Sequence, residues 1–124
     1  MRRGFTLIEI LVVVVVLGIL AAFAMLKYSN TREQAYLAAM KSDLRNLAIG
    51  EEAFFNDSAR YTMSLAAMNN LTPTPGVTLT VNEATAVGWS ATAASANTYQ
   101  KCYLFSGSAS PVGSATVEGG ISCS

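Results

Sequence analysis

An α+β fold is predicted: one long N-terminal α-helix whose second half packs on a small antiparallel sheet of three or four strands. Three observations carry this. An almost uninterrupted apolar run covers residues 5–26, an amphipathic stretch follows without Gly or Pro as far as Gly50, and a Ser/Thr/Gly-rich remainder holds short β-prone runs. At 124 residues there is room for one domain.

The helix is read from about Phe5 to about Asn56, close to 80 Å at the standard rise of roughly 1.5 Å per residue. Its first part, residues 5–26, is roughly 33 Å long at that rise and apolar on every side, enough to cross a bilayer core. In the second part, residues 27–56, an apolar stripe at helical spacing runs through Tyr36, Met40, Leu44, Leu47 and Phe54, with Leu37, Ala48 and Phe55 beside it. Glu51 interrupts the stripe, while Lys41, Asp43, Arg45 and Asn46 are expected largely on the other faces. The first half needs lipid or many neighbours, and the second needs a partner layer.

That layer is residues 57–124. Strands are expected at Val77–Val81, Val87–Ala93 and Lys101–Ser106, with a fourth in the "ATVEGGIS" run from Ala115 to Ser122. Turn residues punctuate them at Pro73–Gly76 and Pro111–Gly113. Trp89 is expected in the sheet core, and the aromatics Phe5, Phe23, Tyr28, Tyr36, Phe54, Phe55 and Tyr61 are read as packing residues.

Composition narrows function. Eight basic and eight acidic residues leave no net charge, so nothing points to direct nucleic-acid binding. With no His and only two cysteines the chain offers too few donors for a zinc site, and no haem-attachment motif exists. No nucleophile and base stand at motif spacing; no catalytic residue, metal or cofactor is assigned, and an enzyme is not expected. A bridge between Cys102 and Cys123 would close a loop of about 22 residues, worth roughly 3 kcal/mol in the chain-entropy model. The alternative is two unpaired buried thiols, but a long apolar N-terminal segment argues for export to an oxidising compartment.

Glu9 is the only ionisable side chain between Phe5 and Leu26. A secretory signal peptide, with Arg2 and Arg3 ahead of it and Ala22-Phe23-Ala24 as cleavage site, has no use for an acid in its apolar core. In a plain membrane anchor an acid costs up to about 3 kcal/mol at the centre of the span, and nothing repays it. If the chain were cut after Gly4, the new α-amine of Phe5 would lie one helical turn from Glu9, and the amine of a neighbouring copy could pair with that acid. Glu9 is therefore expected to serve assembly.

The stretch "RRGFTLIEILVVVVVLGILAAFAMLKY" resembles the N-terminus of type IV pilins and the related pseudopilins. The resemblance is close over Arg2–Tyr28 and loose thereafter. It implies removal of the leader, residues 1–4, by a prepilin peptidase after Gly4, N-methylation of Phe5, and a role for Glu9 in docking incoming subunits. It implies a homo-oligomeric helical filament, built with an assembly platform and minor pilins. Before assembly the subunit would sit in the cytoplasmic membrane as a single span with its head outside; afterwards it would form part of a surface pilus. The family's helix loosens in filaments around the glycine matched by Gly18, but the proline found in many members is replaced here by Leu26, so the same kink is not implied. A C-terminal disulfide, here Cys102–Cys123, is typical of the pilin branch. The expected function is thus a pilus subunit for motility, adhesion, DNA uptake or biofilm formation. The alternatives are a pseudopilin of type II secretion and, from another class, a soluble secreted binding domain released near Ala24.

Overall fold

The computed structural model describes residues 4–124. Of the leader, Met1, Arg2 and Arg3 lie outside the described residues. The elements are helix α1 (Leu7–Ser58), a 3-10 turn (Leu65–Ala67), and strands β1 (Val77–Ala84), β2 (Gly88–Ser95), β3 (Lys101–Gly107) and β4 (Ser122–Cys123). The chain forms two compact units, one up to Arg32 and a head from Glu33 to Ser124.

The N-terminal unit is helical from Leu7 onward, and its apolar side chains are exposed in the single chain: Phe5 is 83% and Phe23 70% accessible. By length and composition this helix is apolar enough to cross a membrane.

In the head, α1 continues to Ser58, two residues beyond expectation. Ala59 then takes a left-handed conformation (φ 53°), and its N–H donates to the Phe55 carbonyl at 2.7 Å. This is a helix stop normally made by glycine, whose missing Cβ removes the steric penalty. Leu37, Met40, Leu44 and Leu47 are buried, as the stripe predicts. Tyr36, Phe54 and Phe55 are only partly buried, and Phe55 stacks on Tyr61 with ring centroids 4.8 Å apart. Asp43 departs from expectation: it is buried, not solvated. Its carboxylate accepts the Thr74 N–H at 2.8 Å and the Thr74 hydroxyl at 3.0 Å, so a charged side chain turned inward still has its hydrogen bonds.

The sheet is an antiparallel meander in the order β1-β2-β3-β4, with a bulge between Val81 and Glu83. Leu79 and Val81 of β1, Trp89, Ala91 and Ala93 of β2, and Cys102 and Leu104 of β3 form one core with the buried helix residues. The fourth strand needs correction. Only Ser122–Cys123 is extended and paired; the stretch from Ala115 turns at Gly119 (φ 70°), buries Ala115 and leaves Val117 exposed. This loop has its own small core of Phe105, Ala109 and Ala115, onto which Tyr103 and Val112 pack. Gly113 (φ 55°) lies against the Tyr103 ring, where a Cβ would come within 2.5 Å of three ring carbons.

Candidate assembly site

The N-terminal residues that carry the assembly reading come together in one turn. Thr6 precedes the helix, and its side-chain oxygen accepts the Glu9 N–H at 3.3 Å. Glu9 answers: Oε2 accepts the Thr6 backbone N–H at 2.9 Å and the Thr6 hydroxyl at 3.0 Å. This reciprocal pair is a capping box, which satisfies helix-end donors that have no partner inside the helix. Its Thr-x-x-Glu signature stands in the sequence as Thr6-Leu7-Ile8-Glu9, and the assembly reading passed over it. Glu9 therefore has an intrachain partner, and an acid at this end of the helix also suits its dipole. Gly4, Phe5 and Glu9 are all exposed, with Phe5 directly before the box. Gly18 lies within unbroken helix, nothing approaching the place of a Cβ within 4 Å, and the helix is also continuous through Ala24 and Leu26.

In the head, two further helix acids grip the segment that leads to the sheet. Glu51 is fully buried; its Oε2 accepts the Thr62 N–H at 2.9 Å, while Oε1 has no partner among the described residues. Burial pushes this carboxyl above its ordinary value, the Thr62 hydrogen bond works against the rise, and the neighbouring Glu52 charge adds to it. Glu52 accepts the Tyr61 hydroxyl at 3.1 Å. Burial and that carboxylate partner raise the Tyr61 phenol. With Asp43 on Thr74, these acids tether the connecting segment at Tyr61, Thr62 and Thr74.

Cys102 and Cys123 form a disulfide, 21 residues apart in sequence, across paired positions of β3 and β4. The bridge closes the loop that carries Glu118, whose carboxylate accepts the Gly107 N–H at 2.7 Å. Glu83 accepts the Ser110 N–H at 3.2 Å, so these scattered acids organise loop backbone. Among the described residues no group of three His, Cys, Asp or Glu side chains is placed to hold a metal ion. A cavity of about 540 Å³ opens between α1 and β3, lined by Lys41, Arg45, Glu52 and Trp89 among others. The Trp89 indole N–H is buried without a partner among the described residues, which costs about 1–3 kcal/mol relative to a satisfied donor.

Comparison with known proteins bears on the N-terminal turn first. Residues 1–25 match the prokaryotic N-terminal methylation motif. The chain is 37% identical over 60 residues to the type IV major pilin protein PilA of Myxococcus xanthus, covering 48% of this chain and 27% of that protein. It is 36% identical over 74 residues to the type II secretion system core protein G of Pseudomonas aeruginosa, covering 60% of this chain and 52% of that protein. The corresponding core protein G of Klebsiella pneumoniae is 34% identical over 74 residues, covering 60% and 53%. The chain thus spans about a quarter to half the length of these relatives, none of which is named as an enzyme. With a prepilin-type N-terminus, one long helix and an antiparallel sheet, the chain is pilin-like.

Proposed function

We propose that this pilin-like chain is the structural subunit of a type IV pilus filament. The leader is cut after Gly4 and Phe5 is methylated by a prepilin peptidase and N-methyltransferase. Residues 5–26 hold the subunit in the cytoplasmic membrane with the head outside, until the assembly platform stacks it with further copies and minor pilins. The carrying observation is the N-terminal half of α1: apolar on all sides, exposed in the single chain, and begun by a capping box whose acid lies one turn from the expected new N-terminus. Stacking would keep that surface out of water once the subunit leaves the membrane, where each exposed square ångström of apolar area would cost roughly 25 cal/mol. Contacts of this heterologous, non-closing kind give filaments instead of closed rings.

Glu9 then has two duties, a cap within its own chain and an acid for the α-amine of a neighbour, and two substitutions separate them. Glu9→Gln keeps a capping-box partner for Thr6 but removes the charge; Glu9→Ala removes both. The filament reading expects both variants to insert and fold while assembling poorly. Normal filament yield from Glu9→Gln would reduce Glu9 to a helix cap. Loosening of the helix in the filament, if it occurs, is proposed at Gly18–Ala22, where glycine weakens a helix by roughly 1 kcal/mol relative to alanine.

A second reading, a pseudopilin of type II secretion, is favoured by the core protein G matches, which span more of this chain than the pilin match does. The Cys102–Cys123 bridge supports the pilus, because the resemblance assigns such bridges to the pilin branch. Deletion in the native cell separates them: loss of surface fibres supports the pilus, and loss of protein secretion with fibres intact supports the pseudopilin.

A further inference from the structure

We propose that the head cavity between α1 and β3 binds a small amphiphilic carboxylate, its anionic end held by Lys41 and Arg45 and its apolar end lying against Ile49, Leu104 and Ile121. The cavity volume of about 540 Å³ lies within the usual range for small-molecule sites, roughly 300–1,000 Å³. Lys41 and Arg45 stand four residues apart on α1, so both cations project from one helix face. Neither has an ion-pair partner among the described residues. Glu52, which also lines the cavity, offsets one of the two charges, and its Oε1 is engaged by the Tyr61 hydroxyl. The balance is one positive charge, suited to a singly charged head group.

The remaining walls are largely apolar, with Ser106 as the one further polar side chain among the described residues. Ile49 is 69% exposed although it sits on the half of the helix that serves the head, and Leu104 and Ile121 line the cavity from the sheet side. Ile121 lies two residues before Cys123, so the disulfide helps to hold that wall in place. Trp89 also lines this cavity, and its ring is almost fully buried; its indole nitrogen, which meets no acceptor among the described residues, is closed to solvent and does not itself open into the cavity. Two cations at one end of a cavity with apolar walls suit an occupant that is anionic at one end and apolar at the other. The cavity lies wholly within the head, so this inference stands apart from the filament reading.

Trp89 is the only tryptophan of the chain and reports on the cavity directly. The full-length chain in a nonionic detergent would be titrated with hexanoate, acetate and hexanol at constant ionic strength and detergent concentration, following tryptophan emission. The expected result is a saturable change with hexanoate, and at least roughly tenfold weaker responses to acetate, which lacks the tail, and to hexanol, which lacks the charge. Arg45→Gln, at an exposed position, and Lys41→Gln, at a half-buried one, should each weaken hexanoate binding roughly tenfold, and the Arg45 variant should leave the unfolding midpoint in place. The proposal is overturned by the absence of saturation, by hexanol matching hexanoate, or by variants that bind hexanoate as the parent does. Variants that bind hexanoate normally but no longer form filaments would assign Lys41 and Arg45 to contact with a second copy.

Discussion

Breaking the Cys102–Cys123 bridge should destabilise the head by about 3 kcal/mol and release its last strand. The cross-link spans 21 residues, and the entropy it removes from the unfolded chain is worth about 3 kcal/mol for a loop of this size. The folded side shows why little would remain in place. β4 is two residues long; beyond it, Ser124 exchanges backbone hydrogen bonds with Lys101 at 2.9 and 3.0 Å. Each such bond contributes a net of about 1 kcal/mol. Fixing each residue's backbone costs about 1–2 kcal/mol, so the strand has no margin once the bridge is gone. The comparison uses the same full-length chain in detergent, oxidised and reduced, which leaves side-chain volumes essentially unchanged. Denaturant unfolding followed by Trp89 emission gives the stability change, and hydrogen exchange at the Lys101 and Ser124 amides reports the strand. A change below about 1 kcal/mol with both amides still protected would refute the reasoning, since the entropic estimate would then exceed the effect threefold.

Three further outcomes follow from the head. The Glu51 carboxyl is raised above its ordinary value of 4.5, so its contribution to stability is complete below that pH and is lost as pH rises through the raised value. Glu51→Gln keeps an acceptor for the Thr62 amide and removes the charge; it should flatten this fall and gain about 1 kcal/mol at neutral pH, whereas parallel pH–stability curves would contradict the assignment. Ala59→Gly should stabilise the head by about 1 kcal/mol by relieving the left-handed helix stop, and a loss of stability in denaturant unfolding would show that the stop is unstrained. Gly113→Ala should cost about 2 kcal/mol, through its positive φ and the Tyr103 ring it would meet; an unchanged unfolding midpoint would mean that the loop core yields freely.

The parts of this fold that were legible in the sequence are those set by local pattern. The helical stripe through Met40, Leu44 and Leu47 and the alternation in β1 bury what their spacing predicts, and the apolar run is helical from Leu7. In β3, Cys102 and Leu104 face the core, while Phe105 on the other face is buried as well, under the loop that carries Ala109 and Ala115. Asp43 was not legible as an inward residue, because its justification is Thr74, 31 residues away, and spacing along a helix carries no information about a distant amide. The last strand was misplaced because "ATVEGGIS" has β-prone residues, while its backbone is claimed by a glycine turn and by the Gly119 N–H donating to the Phe105 carbonyl at 2.9 Å. At the N-terminus the residues were recognised but one relation was not. Glu9 was read for a missing cation, although Thr6, three residues earlier, supplies two donors to the same carboxylate oxygen. The head cavity was invisible in sequence, since Lys41 and Arg45 look like an ordinary solvated helix face until β3 is laid beside them.

The most direct test of the filament account is the mass of the mature N-terminal peptide, taken from the native cell. The account predicts a chain that begins at Phe5 and carries one methyl group on its α-amine, with Glu9 one turn away. A chain beginning near Met25 would contradict it, because the apolar half of α1 would then be a discarded signal and no assembly surface would be left.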